Sequence, residues 1–302
     1  MTIVSIQYKN ISPARGLRRW LAQAGLALSV AIAPVLHGQT AATGFESDTL
    51  APFGVEVSAG NLSEIIEPSG FAPRAGSKVH HLRWCQSNYT GSRTSRGVEG
   101  TSGSGNPRIT EEGWFAFSFL LPDTFPAKSV ILGQLICWMR ELPKTNKTVA
   151  LSLNANGRLT LDGYSGDGTG GATREAVRPL LSSVKRGVWH DFVIYVRFSN
   201  KNTGVMKAWI DGAPEAAPTV EVSGINLGNG AFDDTGRMTD GAYVKWGMYC
   251  HDVANHTEGE TRDAYFDEVA YLVGNPPGAF DLVRPKDPDA VRAGIPESRS
   301  SD

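Results

Sequence analysis

Apolar and polar residues alternate in short segments along the chain, and residues typical of turns separate these segments. In segment 189–198 apolar residues recur at every second position, which is the period of a strand with one buried face. Further strands are predicted at 114–121, 130–138, 149–153, 158–161, 205–210, 243–249 and 264–273. Segment 154–157 and the pair Asp211-Gly212 carry turn signals that join neighbouring strands as hairpins.

No long amphipathic helix is predicted between residues 44 and 274. Many short strands separated by turns are typical of all-β domains, so we predict a concanavalin-A-like β-jelly-roll sandwich of two antiparallel sheets over residues 41–275. Two segments rich in glycine, 87–106 and 163–173, are predicted to be loops. Residues 276–302 carry several prolines and mixed charge, and we predict a poorly ordered C-terminal tail there.

The N-terminal segment has the order of features found in secretory signal peptides. A basic region with Arg15, Arg18 and Arg19 precedes an apolar stretch at 21–36, which is short for a membrane span. Small and polar residues follow. We therefore predict that residues 1–40 are a signal peptide cleaved near residues 38–42, and that the mature protein is secreted or periplasmic without membrane association. An uncleaved membrane anchor is the alternative.

Composition and charge restrict the partners of the chain. Of its 302 residues 41% are hydrophobic and 20% are charged, which is enough apolar material for a sizeable core. The formal net charge of −2 gives no general attraction to nucleic acid, so we expect none as a partner, and we expect a monomer. Cys85, Cys137 and Cys250 leave at least one free thiol. We expect buried, inert thiols, with one disulfide as the alternative.

Several motifs occur along the chain in a familiar order. They lie at 112–123, 133–135, 187–191, 204–212, 243–249 and 264–269. The pattern Tyr-x-Lys-x-Gly-x-Tyr at 243–249 is the most specific of them. Together the motifs resemble the polysaccharide lyase superfamily that contains the glucuronan lyases and heparin lyase I, which are concanavalin-A-like jelly rolls. The resemblance implies an enzyme that cleaves a uronic-acid-containing polysaccharide by β-elimination.

β-Elimination requires three functional groups. The C5 carboxylate of the sugar must be neutralised, a base must remove the C5 proton, and an acid must protonate the departing O4 oxygen. Four residues two apart share one face of the strand at 243–249: Tyr243, Lys245, Gly247 and Tyr249. The resemblance implies Tyr249 as the acid and also as a candidate base, with Lys245 as a contact for the anionic sugar. We expect Gly247 to leave room beside the substrate.

Gln134 matches the glutamine that helps to neutralise the substrate carboxylate in the resembling lyases. The related pattern often has a histidine two positions later, but here that position is Ile136. Either another residue supplies the base, or Tyr249 performs both proton transfers, or the protein is not an active lyase. An ordinary amide at the edge of the core is the alternative for Gln134.

The richest polar cluster of the sequence is at 80–83. His81 and Arg83 share one face of a strand, and His80 points to the other face. A guanidinium disfavours protonation of a neighbouring imidazole, so we expect a neutral His81, which is the form that a base requires. Arg83 and Arg96 are alternative clamps for the substrate carboxylate. Further substrate contacts are expected from Arg93, Arg96, Tyr243 and Trp138.

Two acidic residues near the ends of the domain are candidate metal ligands. Glu46 lies near the first strand and Asp267 lies in the last one. Sandwiches of this type often hold a structural Ca²⁺ between terminal strands through oxygen ligands. An exposed acidic pair is the alternative, and we expect no cofactor in the reaction itself.

Two other functions are compatible with the same fold. A non-catalytic carbohydrate-binding module would need the cleft but not the proton-transfer groups. A retaining glycoside hydrolase would need two carboxylates flanking the bond, and no Glu-x-Asp-x-x-Glu strand is present. We therefore prefer a lyase that acts on an acidic polysaccharide of the glucuronan, alginate or sulfated type. Its cleft should unite His81, Arg83, Gln134, Lys245 and Tyr249.

Overall fold

The structure is a computed structural model in which residues 40–103, 105–139, 144–167 and 171–286 are described. The predicted signal peptide lies outside the described residues except for Thr40. The described chain forms fifteen β-strands and a short α-helix. The elements are β1 (Thr40–Thr43), β2 (Gly54–Val57), β3 (Leu62–Ile66), β4 (Val79–Cys85), β5 (Gly97–Thr101), β6 (Glu112–Leu120), β7 (Val130–Met139), β8 (Lys144–Leu153), β9 (Leu159–Gly166), β10 (Thr173–Leu181), β11 (Trp189–Arg197), β12 (Ser199–Ile210), β13 (Val220–Asn229), β14 (Ala242–Tyr249), β15 (Thr261–Val273) and α1 (Ala279–Val283).

The strands form two sheets that share one strand. The first, called the grooved sheet below, has the order β2-β5-β14-β7-β8-β9, and β10 also pairs with β9. The second, called the opposite sheet, has the order β12-β11-β6-β15-β4-β3, and β1 pairs with β15. Strand β13 pairs antiparallel with β12 and then, at Gly228 and Asn229, parallel with β9, so it links the two sheets. The predicted all-β jelly-roll sandwich is confirmed.

Strand β14 shows how the sequence separates the core from the exposed face of the grooved sheet. Val244, Trp246 and Met248 are completely buried in the main core. The Trp246 ring packs edge-on against Phe53, with 5.1 Å between centroids, and its indole N–H donates to His80 of the opposite sheet at 3.1 Å. Burying one large apolar side chain contributes about 1.5–3 kcal/mol. This burial therefore determines which residues of β14 must face outward.

The predicted loop at 87–106 is wrong in its centre, because residues 97–101 form β5 between β2 and β14. A Cβ atom on Gly100 would lie 2.2 Å from ring atoms of Trp246. Gly100 therefore allows the indole ring to pack closely against the strand. Its presence reflects this packing and does not indicate a loop. The predicted loop at 163–173 is also too long, since β9 continues to Gly166 and β10 begins at Thr173.

The predicted poorly ordered tail is wrong in its first part, because α1 packs against the opposite sheet. Phe280 and Val283 are buried. The Phe280 ring lies 5.2 Å from Trp209 and 6.2 Å from Trp114 between centroids, so it covers two tryptophans that would otherwise face water. Residues 287–302 lie outside the described residues. Nowhere in the described part is a helix long and apolar enough to cross a membrane.

The three cysteines are free thiols, two of them buried. Burial raises the pKa of Cys137 and of Cys250 to about 12. A thiol that stays protonated is a poor nucleophile. Cys85 is partly exposed. None of the three cysteines forms a disulfide with another.

The adjacent histidines of β4 lie in different environments. His80 is completely buried in the core, where its Nδ1 accepts the Trp246 N–H and its Nε2 donates to Ser63 Oγ at 2.8 Å. This pair of hydrogen bonds defines a neutral tautomer with the proton on Nε2. Burial, assisted by repulsion from His81, lowers the pKa of His80 to about 3. His80 thus acts as a structural link between the sheets.

His81 faces away from the core and lies between two carboxylates. Its Nδ1 is 2.9 Å from Glu64 Oε1 and its Nε2 is 2.7 Å from Asp263 Oδ1. Burial of the ring opposes protonation, but the hydrogen bonds and charges of Asp263 and Glu64 outweigh it and raise the pKa of His81. The expected neutral His81 is therefore wrong. Arg83 binds the same Asp263 at 2.7 Å, so the carboxylates compensate both cations.

We expect Gly100→Ala to lower the free energy of unfolding by about 1–3 kcal/mol, because its methyl group would overlap the Trp246 ring. Gly54→Ala in the neighbouring strand β2 is the matched control, since no atom lies within 4 Å of its added Cβ. It should stay within about 0.5 kcal/mol of wild type. Urea unfolding measures both variants, and equal stabilities would contradict the close packing of Trp246 on β5.

We expect His81→Gln to destabilise the protein by about 1.5–3 kcal/mol at low pH, because charge-assisted hydrogen bonds to Glu64 and Asp263 are lost. Since the folded state raises the His81 pKa, this contribution is complete below the unfolded value of about 6.5 and is lost as the pH rises through the folded value. Urea titrations from pH 5 to pH 9 test this, and a difference from wild type that is constant with pH would refute it.

Candidate functional site

A groove of about 920 Å³ runs across the exposed face of the grooved sheet, from β2 to β10. The side chains that give it chemical character are Glu56, Arg93, Glu99, Gln134, Lys147, Tyr164, Arg174, Lys245, Tyr249 and His251. The structure thus brings four of the predicted site residues into one groove, although they are far apart in sequence: Arg93, Gln134, Lys245 and Tyr249.

Strand register places these residues. Lys245 of β14 lies opposite Gln134 of β7, and Tyr249 lies opposite Ile131, with an irregular pairing between the two points. Gly247 lies at this irregularity with a φ of 135°, and a Cβ atom there would be 2.4 Å from the carbonyl oxygen of Val98. The expected role of Gly247 in leaving room for substrate is therefore wrong, because the backbone itself requires a glycine here.

A buried carboxylate organises the centre of the groove. Glu99 is 5% exposed and accepts a hydrogen bond from Gln134 Nε2 and another from Lys245 Nζ, the latter at 3.2 Å. Lys245 also donates to Glu56 at 2.7 Å. Burial disfavours the ammonium charge, but Glu99 and Glu56 outweigh this cost and raise the pKa of Lys245. Lys245 is therefore a cation compensated by two carboxylates, and Glu99 fixes the orientation of the Gln134 amide.

Tyr249 lies at the end of β14 and packs against the apolar cluster of Ile131, Ala150 and Tyr164. Arg96 is its cationic neighbour: the guanidinium donates to Tyr89 OH at 3.2 Å, and this bond, together with the nearby phenol of Tyr249, raises the pKa of Arg96. The Nε of Arg96 is buried and has no hydrogen-bond partner among the described residues. Of the two arginines considered from the sequence, the structure places Arg96 next to Tyr249, whereas Arg83 belongs to the opposite sheet.

His251 is a groove residue that sequence analysis missed. It lies two positions beyond Tyr249, and its backbone N–H donates to the Tyr249 carbonyl oxygen at 3.1 Å. Desolvation, together with the positive charge of Lys147, lowers the pKa of His251, so the neutral imidazole is favoured. Continuing the two-residue spacing of 243–249 by one step would have indicated it, but β14 ends at Tyr249 and the strand pattern stops there.

The groove is more positive than the protein as a whole. Its charged residues are Arg93, Lys147, Arg174, Lys245, Glu56 and Glu99. Four cations and two carboxylates leave a formal net charge of +2, whereas the whole chain carries −2. Because Lys245 is already paired with both carboxylates, the surplus positive charge lies at the other three residues. An anionic ligand is therefore attracted to this face of the protein.

Several predicted site residues lie elsewhere. The expected convergence of His81 and Arg83 with Gln134 and Tyr249 is wrong, because β4 belongs to the opposite sheet and these side chains bind Glu64 and Asp263 instead. Tyr243 lies on β14 beside the groove residues but is buried, with Arg108 5.7 Å from its ring centroid. Burial raises the pKa of Tyr243 to about 12. The side chain of Trp138 lies outside the described residues.

The predicted calcium ligands are engaged in protein hydrogen bonds. Glu46 accepts bonds from the backbone N–H groups of Ser77 and Lys78, at 2.9 and 3.0 Å, and Asp267 accepts one from Ala75 N–H at 3.0 Å. Burial, together with repulsion from Glu268 and Glu46, raises the pKa of Asp267 to about 8. The described residues contain no cluster of three or more His, Cys, Asp or Glu side chains able to hold a metal. The calcium site stays a prediction.

Solved structures with a similar fold include carbohydrate-active enzymes. The endo-β-1,4-glucuronan lyase from the fungus Trichoderma reesei matches with a TM-score of 0.62 and 19% sequence identity, over 79% of this chain and 96% of that chain. The marine PL-14 alginate lyase from Aplysia kurodai matches with a TM-score of 0.49 and 10% identity, over 70% of this chain and 87% of that chain. The likeness to the fungal structure supports the jelly-roll fold.

The family of the chain follows from its amino-acid sequence. No curated protein matches the chain. The model of one family, described as polysaccharide lyase, matches residues 28–270. This range covers most of the chain and includes the groove residues from Glu56 to His251. The chain therefore belongs to the polysaccharide lyase family.

Proposed function

We propose that this lyase cleaves a uronic-acid-containing polysaccharide by β-elimination in the groove of the grooved sheet. The observation that carries the proposal is the meeting of Gln134 and Tyr249 in one positively charged groove, with Arg96 beside Tyr249. Neutral sugars would gain little from the surplus charge, whereas a uronate would be attracted by it. The structurally similar fungal enzyme is named for a polymer of this kind, a β-1,4-glucuronan.

Gln134 and Arg96 are suited to neutralise the substrate carboxylate. One N–H of the Gln134 amide donates to Glu99, which leaves the second N–H for the sugar carboxylate. Arg96 supplies positive charge and further N–H donors next to Tyr249. Hydrogen bonds to the carboxylate stabilise the negative charge that develops when the C5 proton leaves. This lowers the barrier to proton removal.

Tyr249 is suited to handle the protons of the elimination. A base takes the proton from C5, the electron pair forms a C4–C5 double bond, and the C4–O4 bond breaks as O4 receives a proton. When the C5 proton and the O4 oxygen lie on the same side of the sugar ring, the phenolate of Tyr249 can take the proton from C5, and the resulting phenol can give it to O4. His251 is a second candidate base, because it lines the same groove and its neutral form is favoured.

A non-catalytic carbohydrate-binding module is the alternative function. Ile136 lines the groove where related lyases often have a histidine, and an isoleucine cannot transfer protons. Incubation of the protein with glucuronan, alginate and sulfated uronans separates the two functions. The lyase produces an unsaturated sugar that absorbs in the near ultraviolet. Binding of a uronan without this product from any of the polymers would favour the binding module.

We also propose that the protein is exported, because a polymeric substrate is met outside the cell and residues 1–40 have the features of a signal peptide. Mass spectrometry of the secreted protein should show a mature N-terminus near residues 39–43. An intact Met1 on a membrane-bound product would disprove export with cleavage.

We expect Tyr249→Phe to reduce kcat by about 10²–10⁴-fold, because the variant lacks the group that exchanges protons with C5 and O4. Polymer affinity should be retained, since the ring can still pack against the apolar cluster that contains Ile131. Ultraviolet detection of the unsaturated product measures kcat, and isothermal titration with the polymer measures affinity. Tyr265→Phe, a tyrosine on the opposite sheet, is the control and should behave as wild type.

His251→Asn identifies the base. Near-wild-type turnover of this variant would leave both proton transfers to Tyr249, whereas a loss similar to that of Tyr249→Phe would assign the C5 proton to His251. Unchanged turnover in Tyr249→Phe would remove Tyr249 from the mechanism altogether.

A further inference from the structure

Away from Lys245, three further side chains form a cationic cluster in the groove. Tyr164 of β9 lies between two cations: Lys147 Nζ of β8 is 4.7 Å from its ring centroid, and Arg174 Cζ of β10 is 5.6 Å from it. All three residues line the groove. The cluster is called the cation–tyrosine cluster below.

Hydrogen bonds hold this cluster in place. Arg174 Nη2 donates to Tyr164 OH at 3.2 Å and lies 3.7 Å from Asp162 Oδ2. The Tyr164 hydroxyl donates to the same carboxylate at 3.4 Å, and Ser152 Oγ donates to it at 3.0 Å. Asp162 and Tyr164 are only 2% and 4% exposed. The cluster is therefore a preorganised part of the fold, and Arg174 is positioned by it.

The cation–tyrosine cluster retains positive charge that the centre of the groove lacks. At the centre, one lysine faces two carboxylates, since Lys245 pairs with Glu56 and Glu99. In the cluster, two cations face one carboxylate, and within the described part of the chain Lys147 forms no ion pair. An anion that enters the groove is thus bound more favourably by Lys147 and Arg174 than by Lys245.

The position of the cluster separates it from the reacting sugar. Tyr249 is on β14, and β7, β8, β9 and β10 follow in the sheet order. With about 4.8 Å between neighbouring strands, β8 is roughly 10 Å and β10 roughly 19 Å from β14. Gln134, on β7 next to β14, is close enough to serve the sugar that reacts at Tyr249. Arg174 is too far away for that sugar. Lys147 extends toward His251, whose pKa its charge lowers, so it lies between the reacting sugar and Arg174 in the groove that crosses the strands.

We propose that the cation–tyrosine cluster is a separate anion-binding subsite, which holds the carboxylate of a sugar residue next to the one that is cleaved. This inference rests on the proposed function. It implies that the preferred polymer carries carboxylates on neighbouring residues. A chain in which the charged sugars are isolated between neutral ones would leave Lys147 and Arg174 without a ligand.

The test compares Lys147→Gln and Arg174→Gln with wild type on alginate and glucuronan. Both variants should raise KM about tenfold or more. Arg174→Gln, the change farther from Tyr249, should leave kcat little changed, because the subsite binds the substrate and the transition state equally. Arg178→Gln is the matched control, since Arg178 lies exposed on the same strand β10 but outside the groove, and it should keep the wild-type KM. Among the described residues Lys147 forms no side-chain hydrogen bond, so the KM of Lys147→Gln tests the subsite even if Arg174→Gln disturbs folding.

A second measurement uses the same polymer after partial reduction of its carboxylates to alcohols. Wild type should lose affinity steeply as carboxylates are removed, and the two variants should lose it less. Unchanged KM in both variants, or an undiminished preference for the fully charged polymer, would overturn the subsite.

Failure of the proposed function is distinguishable from failure of the subsite. If wild type forms no unsaturated product from any uronan, the lyase reaction on uronans is refuted, and isothermal titration of the same polymers then tests the subsite alone. Weaker binding by Lys147→Gln and Arg174→Gln than by Arg178→Gln would still support it. Equal binding by all three variants would overturn it.

Discussion

The alternation of side chains along β14 is the constraint on which the groove depends. Trp246 is held in the core by Phe53 and by its hydrogen bond to His80. Its ring fits closely against β5 because Gly100 has no side chain. Because successive side chains of a strand point to opposite faces, this burial forces Lys245 into the groove. A change that moved Trp246 would therefore move the chemical centre as well, since close-packed cores transmit displacements.

Charge compensation determines what the groove can bind. The most deeply buried cation, Lys245, is paired with Glu99 and Glu56, as expected for a charge removed from water. Its function is to hold the centre together, and through Glu99 it is connected to the orientation of Gln134. The positive charge available to a ligand lies around this centre, so the groove combines a centre whose lysine is fully compensated with cationic flanks.

Family membership and the residues of the groove bear on different aspects of the function. Family membership gives lyase activity on polysaccharides, and the fold alone would not select a substrate. Ile136 occupies the place of a frequent family histidine, yet His251 enters the groove from the end of β14. In the proposed mechanism the candidates for removing the C5 proton, Tyr249 and His251, come from β14 or its end, and Gln134 on β7 lines the same groove. The groove can thus lack a histidine at position 136 and still contain groups able to transfer protons.

The sequence by itself determined the all-β architecture and the pairing of Lys245 with Tyr249 on one strand face, because both follow from a period of two residues. Motif resemblance added Gln134. The tertiary structure alone decided that β4 joins the opposite sheet, which separates His81 and Arg83 from the groove, and that Arg96 lies beside Tyr249. Local patterns specify which face a side chain occupies, but sheet order arises from contacts between distant strands. For the same reason the cluster of Lys147, Tyr164 and Arg174 has no sequence signature, since it exists only where β8, β9 and β10 lie side by side.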